Sequence, residues 1–150
     1  MSWWSRIIGG SPDSEVRPHR VDYLSEALAL ERQGDYDAAL TSYRLALREK
    51  PNDPRILQNM GIAFSKTGRL DESIRAYRRA LELNPALSGA HYGVAFLLLK
   101  RGETDGAREH LEAFLANPPV GTDSERFVSH AQRKLDELNS AGADGRGEPE

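Results

Sequence analysis

The sequence predicts an all-α protein made of three antiparallel helix pairs followed by a capping helix. Glycine, proline and aspartate each return at a spacing of 34 residues through the central part of the 150-residue chain. Between these markers, apolar residues recur three or four positions apart, which is the period of a helix. The recurring positions are Gly34, Gly68 and Gly102, then Pro51, Pro85 and Pro119, and finally Asp37, Asp71 and Asp105.

The markers also define where the six paired helices begin and end. Glycine adopts the left-handed conformation that ends a helix, and an aspartate is favoured in the first turn of the next helix. Asp53 before Pro54 is a good N-cap, and Ser88 is expected to cap the third unit in the same way. The prolines end the second helices. The predicted pairs are 20–33 with 36–49, 54–67 with 70–83, and 88–101 with 104–116.

A seventh helix is predicted at about 123–138, with Thr122 or Asp123 as its N-cap. One face of this segment is apolar and the opposite face is charged. The last apolar face of a helical array must be covered by a helix with a polar outer side. We therefore interpret this segment as a cap rather than as a partner-binding element. Its apolar face consists of Phe127, Val128, Ala131, Leu135 and Leu138.

The residue pattern of the units resembles the tetratricopeptide repeat family, whose pattern is W-x2-L-G-x2-Y, then A-x3-F, then P. The middle unit carries Met60-Gly61, Phe64, Tyr77 and Pro85 at the matching positions. The resemblance covers about residues 20–119 and implies a right-handed α-solenoid. The predicted organisation is an N-terminal apolar segment and linker (1–19), three units (20–53, 54–87, 88–119), the capping helix (120–139) and a disordered acidic tail (140–150).

The family's concave groove is lined by the first helices of the units, and the resemblance carries that lining onto this chain. The matching positions hold six large apolar side chains that packing does not use, so we expect them to be exposed and to bind an apolar or amphipathic segment of another protein. A lysine-rich clamp for the C-terminal carboxylates of chaperones is not expected, because only Asn59 fits it. The predicted partner-binding residues are Leu24, Leu28, Arg55, Gln58, Ile62, Lys66, Tyr92, Phe96, Leu99 and Lys100.

The N-terminal segment carries an apolar face formed by Trp3, Trp4, Ile7 and Ile8. So short a segment does not hold a helix alone in water, so it orders only on a surface that receives it. That surface is the chain's own groove, a membrane interface or a larger complex. The alternative function is therefore a peripheral subunit or assembly factor of a membrane protein complex, anchored by this segment. A homo-oligomer formed through the groove or through the N-terminal segment is a further alternative.

Composition argues against several classes of protein. The chain has no cysteine, which excludes disulfides, zinc fingers and thiolate nucleophiles. A net charge of −3 argues against nucleic-acid binding. The N-terminus lacks the pattern of a signal peptide, so a cytoplasmic location, peripheral to a membrane if the segment anchors there, is expected.

No catalytic constellation, metal site or cofactor motif stands out, and we do not expect an enzyme. The four histidines are interpreted as packing or solvated residues, with His91 partly buried and His110 on a charged outer face; the others are His19 and His130.

Five arginines lie on the predicted second helices, which face outward in such an array. They are Arg44, Arg48, Arg75, Arg78 and Arg79. One interpretation is a basic patch for an acidic partner or a phosphate group. We favour the other, a solvated face in which acids such as Glu72 and Glu82 alternate with the arginines.

Overall fold

A computed structural model describes residues 21–145, and over that range the chain forms seven α-helices and no β-strand. The first six helices form three antiparallel pairs, and each pair packs against the next. The seventh packs against the sixth. The helices are α1 (Tyr23–Arg32), α2 (Tyr36–Glu49), α3 (Pro54–Lys66), α4 (Leu70–Leu83), α5 (Ser88–Lys100), α6 (Thr104–Ala116) and α7 (Ser124–Asp144).

Glycines in the left-handed conformation end the first helix of every pair, as the spacing predicts. Gly34, Gly68 and Gly102 have φ values of 80°, 75° and 77°. Because that conformation costs a side-chain-bearing residue roughly 1–2 kcal/mol, glycine is the suitable residue at these turns. Asp53 accepts a hydrogen bond from the Arg55 amide at 2.9 Å, which confirms it as the N-cap of α3.

One helix start and one N-cap differ from the sequence prediction. Helix α1 begins at Tyr23 rather than at residue 20, because Asp22 caps it by accepting a hydrogen bond from the Ser25 amide at 3.2 Å. Ser88 does not cap α5: it is the first helical residue, and the N-cap is Leu87, without a side-chain hydrogen bond. The N-cap of α7 is Asp123, as predicted, but it too makes no side-chain cap hydrogen bond.

The seventh helix is longer than predicted. It extends to Asp144, so residues 140–144 are helical rather than part of a disordered tail. Ser140 donates a hydrogen bond from its hydroxyl to the Asp136 carbonyl at 2.9 Å, and the alanines that follow are strong helix formers. Residues 146–150 lie outside the described range.

The core consists of three apolar clusters, each of which joins one helix pair to the next. Within the described residues, the first lies between α1, α2 and α3 and includes Ala76 of α4, the second spans α3 to α6, and the third joins α5 and α6 to α7. Burying an aliphatic or aromatic side chain contributes about 1.5–3 kcal/mol, so these contacts hold the pairs in register. Side chains with almost no exposure include Leu40, Tyr43, Ile56, Ile74, Val94, Leu98, Leu111 and Phe114.

Ion pairs connect neighbouring repeats along the surface. Arg69 lies 3.3 Å from Asp37, and Arg101 lies 3.2 Å from Asp71. In both pairs, the aspartate in the first turn of a second helix meets an arginine near the end of the following first helix. These groups are exposed, so each pair contributes about 0–1 kcal/mol and mainly favours one register of stacking.

Candidate functional site

A groove lies between α3, α5 and the first turn of α7, on the face formed by the first helices of the second and third units. Its volume is about 580 Å³, which falls in the range of sites that receive a ligand. Most of the lining side chains are apolar. They are Gln58, Ile62, Ser65, Lys66, Tyr77, Ser88, Gly89, Tyr92, Gly93, Phe114, Pro119 and Phe127.

The floor of this concave groove depends on glycines that let α3 and α5 approach the Tyr77 ring. A Cβ built on Gly93 would lie 2.5 Å from Tyr77 Cζ, and a Cβ built on Gly61 would lie 2.9 Å from the same ring. The ring is therefore held between two glycine positions. Burial raises the pKa of the Tyr77 hydroxyl, so it stays protonated at neutral pH.

Gln58 lines the groove, and its buried Oε1 atom is an unsatisfied acceptor. Its side chain lies against Gly89, where an added Cβ would come within 2.7 Å of Nε2. Among the described residues, no donor reaches its buried Oε1 atom. Because an unpaired buried polar group costs about 1–3 kcal/mol, an N–H group from a bound ligand would be stabilising at this position.

The aromatic wall of the groove is tied to the capping helix. The Tyr92 hydroxyl and His130 Nδ1 are 2.7 Å apart, and the Tyr92 ring lies edge-on to Phe127 with centroids 5.4 Å apart. Burial raises the pKa of the Tyr92 hydroxyl. The capping helix therefore builds one side of the groove as well as covering the end of the array.

Four of the ten sequence-predicted residues line this groove together, namely Gln58, Ile62, Lys66 and Tyr92. Lys66 is exposed at its edge, and Ile62 and Tyr92 are half-buried.

The other six predicted residues lie elsewhere. Leu24 and Leu28 pack against the first core cluster, and Leu99 against the second. Arg55 is paired with Asp53 at 3.7 Å, and Lys100 is exposed at the end of α5. Phe96 is not among the residues that line the groove. Its ring stacks on His130 at 4.6 Å with an interplanar angle of 7°.

The expected exposed apolar strip is thus largely half-buried. Its six apolar members are all intermediate in exposure, and the large exposed apolar residues of the described range are Val21, Leu83 and Val120. The reason at Phe96 is α7, which folds back over the third unit.

Sequence reasoning missed several lining residues, among them Phe114, Pro119 and Phe127. The signal that could have found Phe127 was its place at the start of a helix that must fold back over α6.

His91 and His110 form a pair that the sequence did not reveal. His91 is half-buried, as expected, but His110 is also half-buried instead of solvated. Their Nδ1 atoms are 2.9 Å apart, and His91 Nε2 lies 2.7 Å from the Pro85 carbonyl oxygen, to which it donates. Burial and then the neighbouring His91 and Arg78 lower the pKa of His110. Within residues 21–145, no group of three or more candidate metal ligands gathers here or elsewhere.

The N-terminal residues Trp3, Trp4, Ile7 and Ile8 lie outside the described residues. Between residues 21 and 145, none of the helices has the length and apolar character needed to cross a membrane.

Curated relatives share the repeat region. The chain is 38% identical over 95 residues to the photosystem I assembly protein Ycf3 of Acaryochloris marina, covering 61% of this chain and 57% of that protein. It is 32% identical over 111 residues to a peroxisomal targeting signal receptor of Candida glabrata, covering 74% of this chain and 18% of the receptor. A TPR repeat-containing thioredoxin of Arabidopsis thaliana is 35% identical over 80 residues, or 53% of this chain and 12% of the thioredoxin.

Solved structures share the fold at low identity. The Yersinia enterocolitica type III secretion translocator chaperone SycD superposes with a TM-score of 0.74 at 16% identity, covering 81% of this chain and 83% of that one. The Sgt2 TPR domain of Aspergillus fumigatus gives a TM-score of 0.66 at 23% identity, with 85% and 83% covered. Models of the tetratricopeptide repeat match residues 54–87 and 88–113, and a TPR repeat model matches residues 27–68. The chain therefore belongs to the tetratricopeptide repeat family.

Proposed function

We propose that this protein is a non-enzymatic interaction module that binds an apolar or amphipathic segment of another protein in its concave groove. The observation that carries the proposal is the composition of the groove. It has a volume of about 580 Å³ and a largely apolar lining, and one lining residue, Gln58, has a buried, unpaired acceptor, Oε1. Recognition sites commonly combine apolar contact area with a few placed polar groups.

Two polar residues of the groove have defined roles in this proposal. Gln58 accepts an N–H group of the bound segment, and Lys66 pairs at the edge with an acidic residue that flanks the apolar face. Ile62, Tyr92 and Phe127 provide the apolar contacts. An amphipathic helix presents such a combination on neighbouring turns.

Solved structures with a similar fold support the proposal. SycD has been solved in complex with a peptide of the translocator YopD, and the first TPR of Spaghetti with an HSP90 peptide. These peptides are ligands of those proteins. They support the use of this fold for holding a segment of another chain.

The test fills the groove without removing any core contact. Ser65 lines the groove and is half-buried, so Ser65→Trp places a large ring in the space that a ligand needs. Thr41→Trp on the exposed face of α2 is the matched control. The probe is a fluorescein-labelled synthetic helix with leucines on one face and glutamates on the other, followed by fluorescence anisotropy.

We expect binding by the unaltered chain and by Thr41→Trp, and a loss of about tenfold or more in affinity, or about 1.4 kcal/mol, for Ser65→Trp. Equal affinities of both tryptophan variants, with circular dichroism showing both folded, would contradict binding in the groove.

A second candidate, an assembly factor for a membrane protein complex, is favoured by one finding: the similarity to Ycf3, described as a photosystem I assembly protein. Trp3, Trp4, Ile7 and Ile8 would anchor it, since tryptophan is favoured at membrane interfaces. Deleting residues 1–10 should then move the protein from the membrane fraction to the supernatant. Unchanged fractionation of the folded deletion variant would eliminate this candidate.

A further inference from the structure

A second cleft lies on the outer face of the array, between α2 and α4. It shares no lining residue with the concave groove. Its floor is formed by Leu57, Met60 and Phe64 of α3, and its volume is about 240 Å³. Arg75 and Arg79 form part of one wall. We call this feature the outer cleft.

Arginines border the outer cleft on both sides. The Arg44 guanidinium carbon lies 6.0 Å from the centroid of the Phe64 ring on the floor, and Arg48 follows one turn later on the same face of α2. All four arginines, two on each helix, are exposed. The sequence alone favoured a solvated face in which acids neutralise such charges.

The ion pairs in the described part of the chain involve other arginines. Within residues 21–145, Arg55, Arg69, Arg101 and Arg108 each form an ion pair. The four arginines of the outer cleft form none in that range. Guanidinium groups that form no ion pair attract carboxylates. Because guanidinium is weakly hydrated, it can hold a carboxylate beside an apolar floor.

We propose that the outer cleft binds an acidic segment of a partner protein, with one apolar side chain inserted between α2 and α4. The small volume suits a single side chain rather than a helix lying along the cleft. Glu72 lies on the same wall, about two turns before Arg79. It therefore directs the carboxylates of the segment towards the end of the cleft that holds Arg79.

A protein segment fits this surface better than a nucleic acid. Bases bind by stacking on open aromatic faces, whereas Phe64 is only 6% exposed. The net charge of −3 also gives the chain no general attraction for a polyanion.

The experiment uses the full chain and a fluorescein-labelled peptide in which a leucine–phenylalanine pair is flanked by glutamates on both sides. Fluorescence anisotropy measures its affinity for the unaltered protein and for the double variant Arg75→Ala with Arg79→Ala. The matched control removes two exposed arginines elsewhere, Arg32→Ala with Arg133→Ala. All four substitutions place alanine in a helix, so the fold is retained.

We expect the cleft variant to lose about tenfold in affinity and the control to change by less than about twofold. Glu72→Gln should tighten binding by about two- to threefold, because it removes a carboxylate from the cleft wall. Raising the salt concentration from about 0.01 M to about 1 M should weaken binding, since the Debye length shortens from about 30 Å to about 3 Å.

Several results would overturn the proposal. The first is an equal loss in both double variants, and the second is no binding by the unaltered chain. The third is tighter binding of a single-stranded oligonucleotide than of the peptide, with loss in the cleft variant, which would make the surface a nucleic-acid site. A peptide with serines in place of leucine and phenylalanine should bind more weakly, and equal binding would refute insertion into the floor. Ser65→Trp, which fills the concave groove, should leave the affinity of this peptide unchanged.

Discussion

Replacing Gly93 with alanine should destabilise the protein, because the ring of Tyr77 occupies the space that the new methyl group needs. The added Cβ would lie 2.5 Å from Tyr77 Cζ and 2.7 Å from its hydroxyl oxygen. The ring has little room to move towards α3, because it packs so near Gly61 that a Cβ built there would lie 2.9 Å from it.

The magnitude follows from two opposing effects. Overpacking a core typically costs about 1–3 kcal/mol, whereas alanine gains up to about 1 kcal/mol over glycine within a helix. Tyr77 is only 4% exposed, so the steric effect dominates. We expect Gly93→Ala to lower the free energy of unfolding by about 1–2 kcal/mol.

Gly106→Ala is the matched control, since its Cβ would meet the flexible end of Leu98 at 3.3 Å. It should be neutral or slightly stabilising. Urea denaturation followed by circular dichroism measures both variants. In a background of Tyr77→Leu, the cost of Gly93→Ala should shrink, because the obstructing ring is gone. If Gly93→Ala were as stable as Gly106→Ala, the close approach of α4 and α5 described here would be wrong.

Three further outcomes are expected. Gly68→Ala, at a residue with φ of 75° and open space around it, should cost about 1 kcal/mol through backbone strain alone, which a lower midpoint in thermal unfolding would show. Ser73→Ala removes the buried hydrogen bond of 2.6 Å from the Ser73 hydroxyl to the Gly61 carbonyl and should cost about 1 kcal/mol in urea denaturation; an unchanged midpoint would refute its contribution. Burial, and then His91, lower the pKa of His110 in the folded state, so the unfolded chain binds the proton more readily and the free energy of unfolding should fall as the pH drops from about 7.5 to about 5.5. His110→Asn should flatten that pH dependence, and an identical slope would show that His110 does not contribute.

The helices could be predicted closely because their limits depend on local chemistry. The turns that follow α3 and α5 contain Gly68 and Gly102, whose φ values are positive. Glycine is the residue that such a turn favours, so each helix end can be recognised from one residue. The error at Ser88 has a local cause as well. Asn84 turns the chain by accepting the Ala86 amide at 3.1 Å, and its carbonyl accepts the Leu87 amide at 3.2 Å, so the helix begins one residue earlier than the cap pattern indicates.

The groove could be predicted only in part, because its shape depends on how α7 packs. The repeat pattern placed Ile62 and Tyr92 on one face, but it contains no template for a helix outside the repeats. Where α7 returns, its His130 ring covers part of Phe96, and Phe127 becomes part of the groove. The pairing of His91 with His110 could not be predicted for a related reason. The residue pattern of one helix does not specify which side chains the neighbouring helix places against it.

The most direct test of the account maps where a bound segment lies. In the two-dimensional amide NMR spectrum of the labelled full chain, titration with the amphipathic leucine–glutamate helix should shift resonances of α3, α5 and the first turn of α7, with the largest changes near Ile62, Tyr92 and Phe127. Saturable shifts confined to α2 and α4, or to the ends of the array, would contradict the claim that the concave groove is the binding site.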